Sequence, residues 1–429
     1  MHAFRLSLVP LSFVLAFSAS AAVLNAAEIR RSLGVVQLSR EAFRRPVRVA
    51  ILDNGFEGFR EGHRDVLPGT RFFAGPVNAS AATAHGFGMA QILSAVVGDR
   101  RDLQLDLIDT NGFSNLKAAV EGLVERRTDV VLYSQNWEFG GNFDGGGFIN
   151  RLVDRAVDAG ALWINAAGNH HGLSFEGRVV SAGVGQALQL RAGAEGPWLA
   201  VDSFLDANAL SITLSWSDFT DDETHRTFKD LDLEIVGPDG KAVDFPNRRQ
   251  IGLDPSDADP LLSAHARETG RVELQRGRYF FRVIDRSGNF SATDRLRVVL
   301  TPRNPDAVRF RDATYAAEIL APADHARALT VGECGSISSV GPTRDGRAKP
   351  DVAVSDARVF FSDGQSSSGS SNAAAMLAGV VALLKGRDPA LDGAKLLAWA
   401  RELRNLSPRC GGEAPRWRLP SPVELERLR

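Results

Sequence analysis

The sequence offers little covalent cross-linking and no bias of charge. It contains 2 Cys in 429 residues, Cys334 and Cys410, which excludes a disulfide-dense scaffold and any four-Cys zinc site. Its 50 Lys+Arg stand against 52 Asp+Glu, a formal net charge of -2. Without a basic excess there is nothing to neutralise phosphates, so no nucleic-acid partner is expected. Hydrophobic residues are 44% and charged residues 24%, a balance that excludes a long disordered chain. No His-Glu-x-x-His string exists, and His170 and His171 are adjacent, so a zinc-protease site is disfavoured. There is no internal repeat, and no low-complexity tract beyond Ser366–Ser371. No segment after the N-terminus is long and apolar enough to span a bilayer, so no transmembrane anchor is expected.

What is present begins with a processing signal. Residues 6–17 read LSLVPLSFVLAF, preceded by Arg5 and followed by Ala19-Ser20-Ala21. A charged flank, a short apolar core and a small-residue end are the marks of a cleaved signal peptide. We therefore assign 1–21 as a signal and expect a secreted or periplasmic protein. An oxidising compartment permits a Cys334–Cys410 disulfide.

From residue 47 short apolar runs alternate with amphipathic ones. Val47–Leu52, Leu103–Ile108, Val130–Tyr133 and Ala161–Ile164 read as strands; Gly86–Val97, Leu116–Arg126 and Phe148–Ala159 read as helices. This alternation predicts a parallel sheet covered on both faces. After Gly172 the helical period disappears. SITLSWS, DLDLEIV, RVELQ and RYFFRVI alternate in period two between turn signals such as Gly237-Pro238-Asp239-Gly240, the pattern of an all-β sandwich. The α/β pattern then resumes with the strand Ala328–Val331 and the helices Ser371–Lys385 and Ala394–Leu403. The predicted organisation is a short N-terminal segment (22–45), an α/β domain in two parts (46–175 and 306–405), an inserted β-sandwich (176–305) and a tail (406–429).

Four polar residues stand at junctions of this pattern. Asp53 directly follows the strand VRVAIL, where an open parallel sheet gathers functional groups, although Asp53-Asn54-Gly55 is also a turn signal. His85 precedes a Gly-led helix and could serve as a general base. Asn169 ends Ala166-Ala167-Gly168-Asn169, where its amide could donate to an oxyanion. Ser371 opens a long apolar helix, as an N-cap or as a nucleophile at the positive end of the helix dipole. Singly, each reads as a turn or cap. Together, in the chain order Asp, His, Ser, they match the order in which subtilisin carries its Ser-His-Asp triad.

The local strings agree. Val49-Ala50-Ile51-Leu52-Asp53-Asn54-Gly55, His85-Gly86 with Met89-Ala90, Ala166-Ala167-Gly168-Asn169, and Gly369-Ser370-Ser371-Asn372-Ala373 with Ala378-Gly379 resemble the motifs of subtilisin-like serine proteases (subtilase family, peptidase S8). Ser338-Ser339-Val340-Gly341-Pro342 through Pro350-Asp351 resembles the family's segment upstream of the nucleophile. The resemblance covers roughly 46–172 and 313–403. More loosely, the β segment resembles jelly-roll-like modules that accompany some of these enzymes. There are departures: Phe87 and Gly88 replace a Thr and a second His, Ser370 replaces a Thr, and Ala375 and Met376 replace Pro and His. Ser134-Gln135-Asn136-Trp137 replaces a string that usually contains Ser-Leu-Gly.

The resemblance implies an α/β, three-layer subtilisin-like catalytic domain interrupted by the β-sandwich. It implies Ser371 as nucleophile, His85 as base, Asp53 as its orienting carboxylate and Asn169 as oxyanion donor. It also implies Ser134, Gln135, Asn136 and Trp137 as the substrate-binding edge for a protein or peptide. No cofactor is required for such chemistry. Structural calcium is an expectation carried by Asp230, Asp232 and the run Asp221–Glu223. The alternative is a catalytically idle relative that binds a partner through the sandwich; retention of all four side chains favours the enzyme. In a structure, Asp53, His85 and Ser371 should form one hydrogen-bonded chain with links of about 2.6–3.2 Å.

Overall fold

The computed structural model describes residues 23–60, 63–77, 83–250, 252, 263–314, 318–335, 337–406, 409–410 and 414–415. The signal assigned to 1–21 lies outside the described residues. The first described helix is α1 (Ala26–Ser32). It then alternates strands and helices: β1 (Val47–Asp53), β2 (Arg71–Phe73), α2 (His85–Val97), β3 (Leu103–Asp109), α3 (Phe113–Glu125), β4 (Val130–Tyr133), α4 (Phe148–Asp158) and β5 (Leu162–Ala166). Strands β6 (Ser174–Arg178), β7 (Leu199–Ser203), β8 (Asn208–Trp216), β9 (Leu231–Val236), β10 (Ala242–Val243), β11 (Arg267–Leu274), β12 (Gly277–Asp285), β13 (Arg295–Pro302) and β14 (Val308–Phe310) follow without a helix among the described residues. The last part holds β15 (Leu329–Glu333), β16 (Val352–Val354), the hairpin strands β17 (Val359–Phe360) and β18 (Ser366–Ser367), α5 (Ser370–Arg387) and α6 (Gly393–Leu406).

Seven strands form one sheet in the order β16-β15-β5-β4-β1-β3-β2. Every neighbouring pair in it is parallel. Period-two alternation along β1 sends Val47, Val49 and Ile51 to one face and Ala50 and Leu52 to the other. The first face packs on α1, α2, α5 and α6, and the second on α3 and α4, so the sheet is the middle of three layers. This is the α/β architecture expected. Helix α5 is buried from Asn372 to Gly386, which explains its nearly unbroken apolar sequence. Several short elements escaped the sequence pattern, β2 and α1 among them. Strand β2 is an edge strand of three residues with Arg71 and Phe72 exposed, so it shows no alternation, and α1 is too short for a helical period to register.

Residues 174–310 form two antiparallel sheets, ordered β10-β9-β12-β7-β14 and β11-β8-β13-β6. Their inward residues, such as Ile212, Leu214, Trp216, Leu233, Phe281 and Val298, make one apolar cluster. Phe148 and Ile149 at the start of α4 belong to the same cluster, so the two-sheet region is packed onto the α/β domain rather than tethered to it. Cys334, after β15, is disulfide-bonded. No described helix is long and apolar enough to cross a membrane.

Phe281 is fully buried at the centre of the shared cluster. Phe281→Ala is expected to cost about 3–5 kcal/mol of unfolding free energy, because the cavity adds to the lost transfer energy. Urea denaturation of the two proteins measures it.

Candidate active site

The chain turns from β1 to β2 and β3 on one side and then to β4 and β5 on the other. The carboxyl ends of β1 and β4 therefore flank a topological switch point, where open α/β sheets keep their crevice. Asp53 is the last residue of β1, and Ser134 to Trp137 follow β4. The same edge receives the N-termini of α2 and α5, which begin at His85 and Ser370.

Asp53 is fully buried, and three donors surround its carboxylate. His85 Nδ1 lies 2.8 Å from Oδ2. The Asn54 backbone N–H donates to Oδ1 at 2.8 Å, and Gln135 Nε2 donates to Oδ1 at 3.0 Å. The loop before α2 is laced to the loop after β1 by Gly86 N–H to Gly55 O at 3.0 Å and Glu57 N–H to Thr83 O at 3.0 Å. Glycine is required at 86: a Cβ there would stand 2.6 Å from the Phe56 ring, 2.7 Å from Asp53 Cβ and 2.8 Å from Gly55 O. Burial disfavours the charged form of His85, but the charge and hydrogen bond of Asp53 outweigh it, and its pKa is raised above 6.5.

Asn169 follows β5 and meets the start of α5. The Ser370 backbone N–H donates to Asn169 Oδ1 at 3.1 Å and the Ser370 hydroxyl donates to it at 3.0 Å. A backbone N–H can only donate, so the atom it meets is the amide oxygen, and Nδ2 is turned away from Ser370. The Ser370 hydroxyl also accepts from Gly168 N–H at 3.1 Å. Gly369 has φ 125, and a Cβ there would press on the Asn169 amide at 3.1 Å. Ser370 was read from sequence only as a replacement for Thr. Its signal is that the replacement keeps the hydroxyl, which is what joins Asn169 to α5.

The Ser371 hydroxyl donates to the backbone oxygen of Ser134 at 3.4 Å. The expected chain is thus present in its Asp53–His85 link, while Ser371 is bonded to Ser134 and not to His85. Ser134 and Gln135 are consecutive, and one touches Ser371 while the other touches Asp53. This places the serine and the imidazole–carboxylate pair at one crevice.

The expected substrate edge divides. Ser134 Oγ and Asn136 Oδ1 are buried without a hydrogen-bond partner, as is His170 Nδ1 beside Asn169. Burial and the Arg297 charge push His170 down to about 4, so its ring is neutral near pH 7. Gln135 is turned onto Asp53. The Trp137 N–H donates to Ala321 O at 2.7 Å, its indole N–H donates to the Tyr133 hydroxyl at 2.7 Å, and its ring meets Phe113 and Phe139. A separate cavity of about 960 Å³, lined by Arg30, Ser94 and Arg100 among others, includes none of these residues. Of the residues expected for calcium, Asp232 pairs with Arg286, Glu223 with Lys117, and Asp222 accepts from Thr224. Asp230 keeps one buried oxygen without a partner, and burial pushes it up to about 6. Among the described residues no group of three or more His, Cys, Asp or Glu is placed to hold a metal ion.

The structure is thus an α/β fold with a parallel sheet, and an imidazole–carboxylate pair and a helix-start serine stand at its switch point. The chain belongs to the subtilase family, peptidase S8, whose profile matches residues 44–407. Its structure is similar to that of the Clostridium perfringens CspB protease, at 15% identity and TM-score 0.55 over 90% of this chain and 93% of that one. MycP1 with its N-terminal propeptide removed aligns over 92% of this chain and 95% of its own, at 16% identity and TM-score 0.42. At 15% identity the first likeness is one of fold. No curated protein matches the chain in sequence.

Gly86→Ala is expected to push α2 away from Asp53 and to cost about 1–3 kcal/mol, as overpacking does. The downfield proton resonance of the His85–Asp53 hydrogen bond should vanish from the NMR spectrum. Survival of that resonance would show that the backbone absorbs the methyl.

Proposed function

We propose that the protein is an exported serine endopeptidase. The observation that carries this reading is the 2.8 Å His85–Asp53 bond at the crevice that also holds Ser371. Ser371 Oγ attacks the scissile carbonyl while His85 Nε2 takes its proton. The tetrahedral intermediate collapses to an acyl-enzyme as His85 returns that proton to the leaving amine. Water then repeats the sequence and releases the acid. Asp53 holds Nδ1–H and favours the imidazolium that forms in each half. Asn169 Nδ2, turned away from Ser370, and the Ser371 backbone N–H supply the oxyanion donors. The Ser371–Ser134 hydrogen bond would suit an idle protein, but side chains change rotamer by rotating between staggered wells, and rotation about χ1 redirects Oγ without moving the backbone.

The contact of Ser134 O with the Ser371 hydroxyl supports the segment after β4 as the edge along which a peptide lies. Residues 174–310 act as a packed β-sandwich module of the same chain. Export rests on the signal assigned to 1–21.

A fluorophosphonate should label the wild-type protein and fail to label Ser371→Ala; labelling of both would end the assignment. Asn169→Ala should lose about 10²–10³ in kcat with little change in KM. The base must be neutral to act, and Asp53 raises the His85 pKa, so kcat/KM should fall with acidification around an apparent pKa above 6.5. A profile flat to about pH 4.5, far below an ordinary histidine, would exclude His85 as the base.

A further inference from the structure

Gln135 does not do what its place on the substrate edge suggests. Its side chain runs to the far end of the imidazole–carboxylate pair. Nε2 donates to Asp53 Oδ1 at 3.0 Å, and Oε1 accepts from Asn54 Nδ2 at 3.3 Å. Asn54 therefore acts twice, once through its backbone N–H on Asp53 and once through its side chain on Gln135. The acceptor role of Oε1 fixes which end of the carboxamide faces Asp53. The reversed amide would set an oxygen against a carboxylate oxygen and two N–H groups against each other. Gln135 Nε2 also comes within 3.4 Å of His85 Nδ1. Both nitrogens carry protons directed at the carboxylate, so this is a contact of two donors that share an acceptor group.

We propose that Gln135 is a positioning residue of the Asp53–His85 pair and not a substrate contact. The proposal rests on the reading of this pair as the base of the peptidase. Two consequences follow from hydrogen-bond chemistry. A second donor on Oδ1 fixes the plane of the carboxylate and with it the imidazole, as outer partners do for ligating groups. It also draws charge from the carboxylate, which weakens the hold of Asp53 on a protonated imidazole. Gln135 thereby lets His85 shed its proton at a lower pH than the same pair would without it. An apolar side chain at 135, as in the usual Ser-Leu-Gly string, could fill the space but could not donate.

Few other ionisable groups surround the pair. Strand β3 carries Asp109, β4 carries Tyr133, and the turn after β1 carries Glu57. Helix α2 has no charged residue besides His85, and the charges of α5, Lys385 and Arg387, lie in its last turn. His170, next to Asn169, is neutral near pH 7. Loss of the Gln135 donor should therefore be read directly on His85.

The test uses Gln135→Met, of similar length and without a donor, and Asn54→Ala, which releases the Gln135 amide but keeps the backbone N–H. In a Ser371→Ala background, with histidine labelled at carbon ε1, NMR titration should show the His85 pKa rising by about half a unit to one unit in Gln135→Met. Asn54→Ala should shift it less, in the same direction, and stands in if Gln135→Met does not fold. In the active protein the acid limb of kcat/KM should move up by the same amount, with kcat down roughly tenfold and KM nearly unchanged, the signature of lost transition-state geometry. An unmoved His85 titration with a raised KM would make Gln135 a substrate contact and overturn the proposal. If His85 titration moves but the wild-type protein neither cleaves peptide nor reacts with a fluorophosphonate, the wiring of the pair stands and the peptidase reading falls.

Discussion

The structure around the cleft depends on one buried carboxylate. Asp53 has no exposure, and a charge withdrawn from water is costly unless donors replace the lost hydration. Three are supplied, by the Asn54 backbone, the Gln135 amide and the His85 ring. Each comes from a different element, and each constrains that element. The turn after β1 must present its N–H, the segment after β4 must pass within side-chain reach, and α2 must start where its first residue faces β1. Gly86 is the steric price of this last demand, since any Cβ there would collide with Asp53 itself.

A second polar hub joins Asn169, Gly168 and Ser370 at the start of α5. It orients an amide whose nitrogen makes no hydrogen bond among the described residues, beside a serine at a helix N-terminus. Asn372, the residue after Ser371, is held by Ala357 O and Ser367 Oγ, so the hairpin β17–β18 also fixes the helix start. The N-terminal segment reaches this hairpin through a bridge between Val23 and Phe361. The start of α5 is thus supported by the hairpin and, through it, by the N-terminal segment.

The two antiparallel sheets join the α/β domain through an aromatic seam. Phe113, Trp137, Phe139, Phe148 and Phe219 form edge-on contacts between the strand after β4, α3, α4 and the β region. Trp137 is part of this seam, while Ser134 and Asn136, on the same segment, keep buried polar atoms without partners.

Much of this was legible in the residues. Period two along β1 and β8 and the unbroken apolar run of α5 report burial directly, because a strand or helix places its side chains by period alone. The chain order Asp53, His85, Asn169, Ser371 and their settings at element ends identified the candidate site, since strand ends and helix starts are set locally. Short elements such as β2 were not legible, because three half-exposed residues carry no period. Nor was the division of Ser134–Trp137 into cleft, pair and seam, or the Ser370 hub. Those depend on which neighbours lie across 50 to 200 residues of intervening chain, as the Asp53–Gln135 and Gly168–Ser370 bonds do. The sequence by itself determined the longer elements, their burial and the candidate reactive groups. Only the tertiary structure decided which donor satisfies which acceptor, because hydrogen bonds are short and directional and are settled by packing between elements distant in the chain.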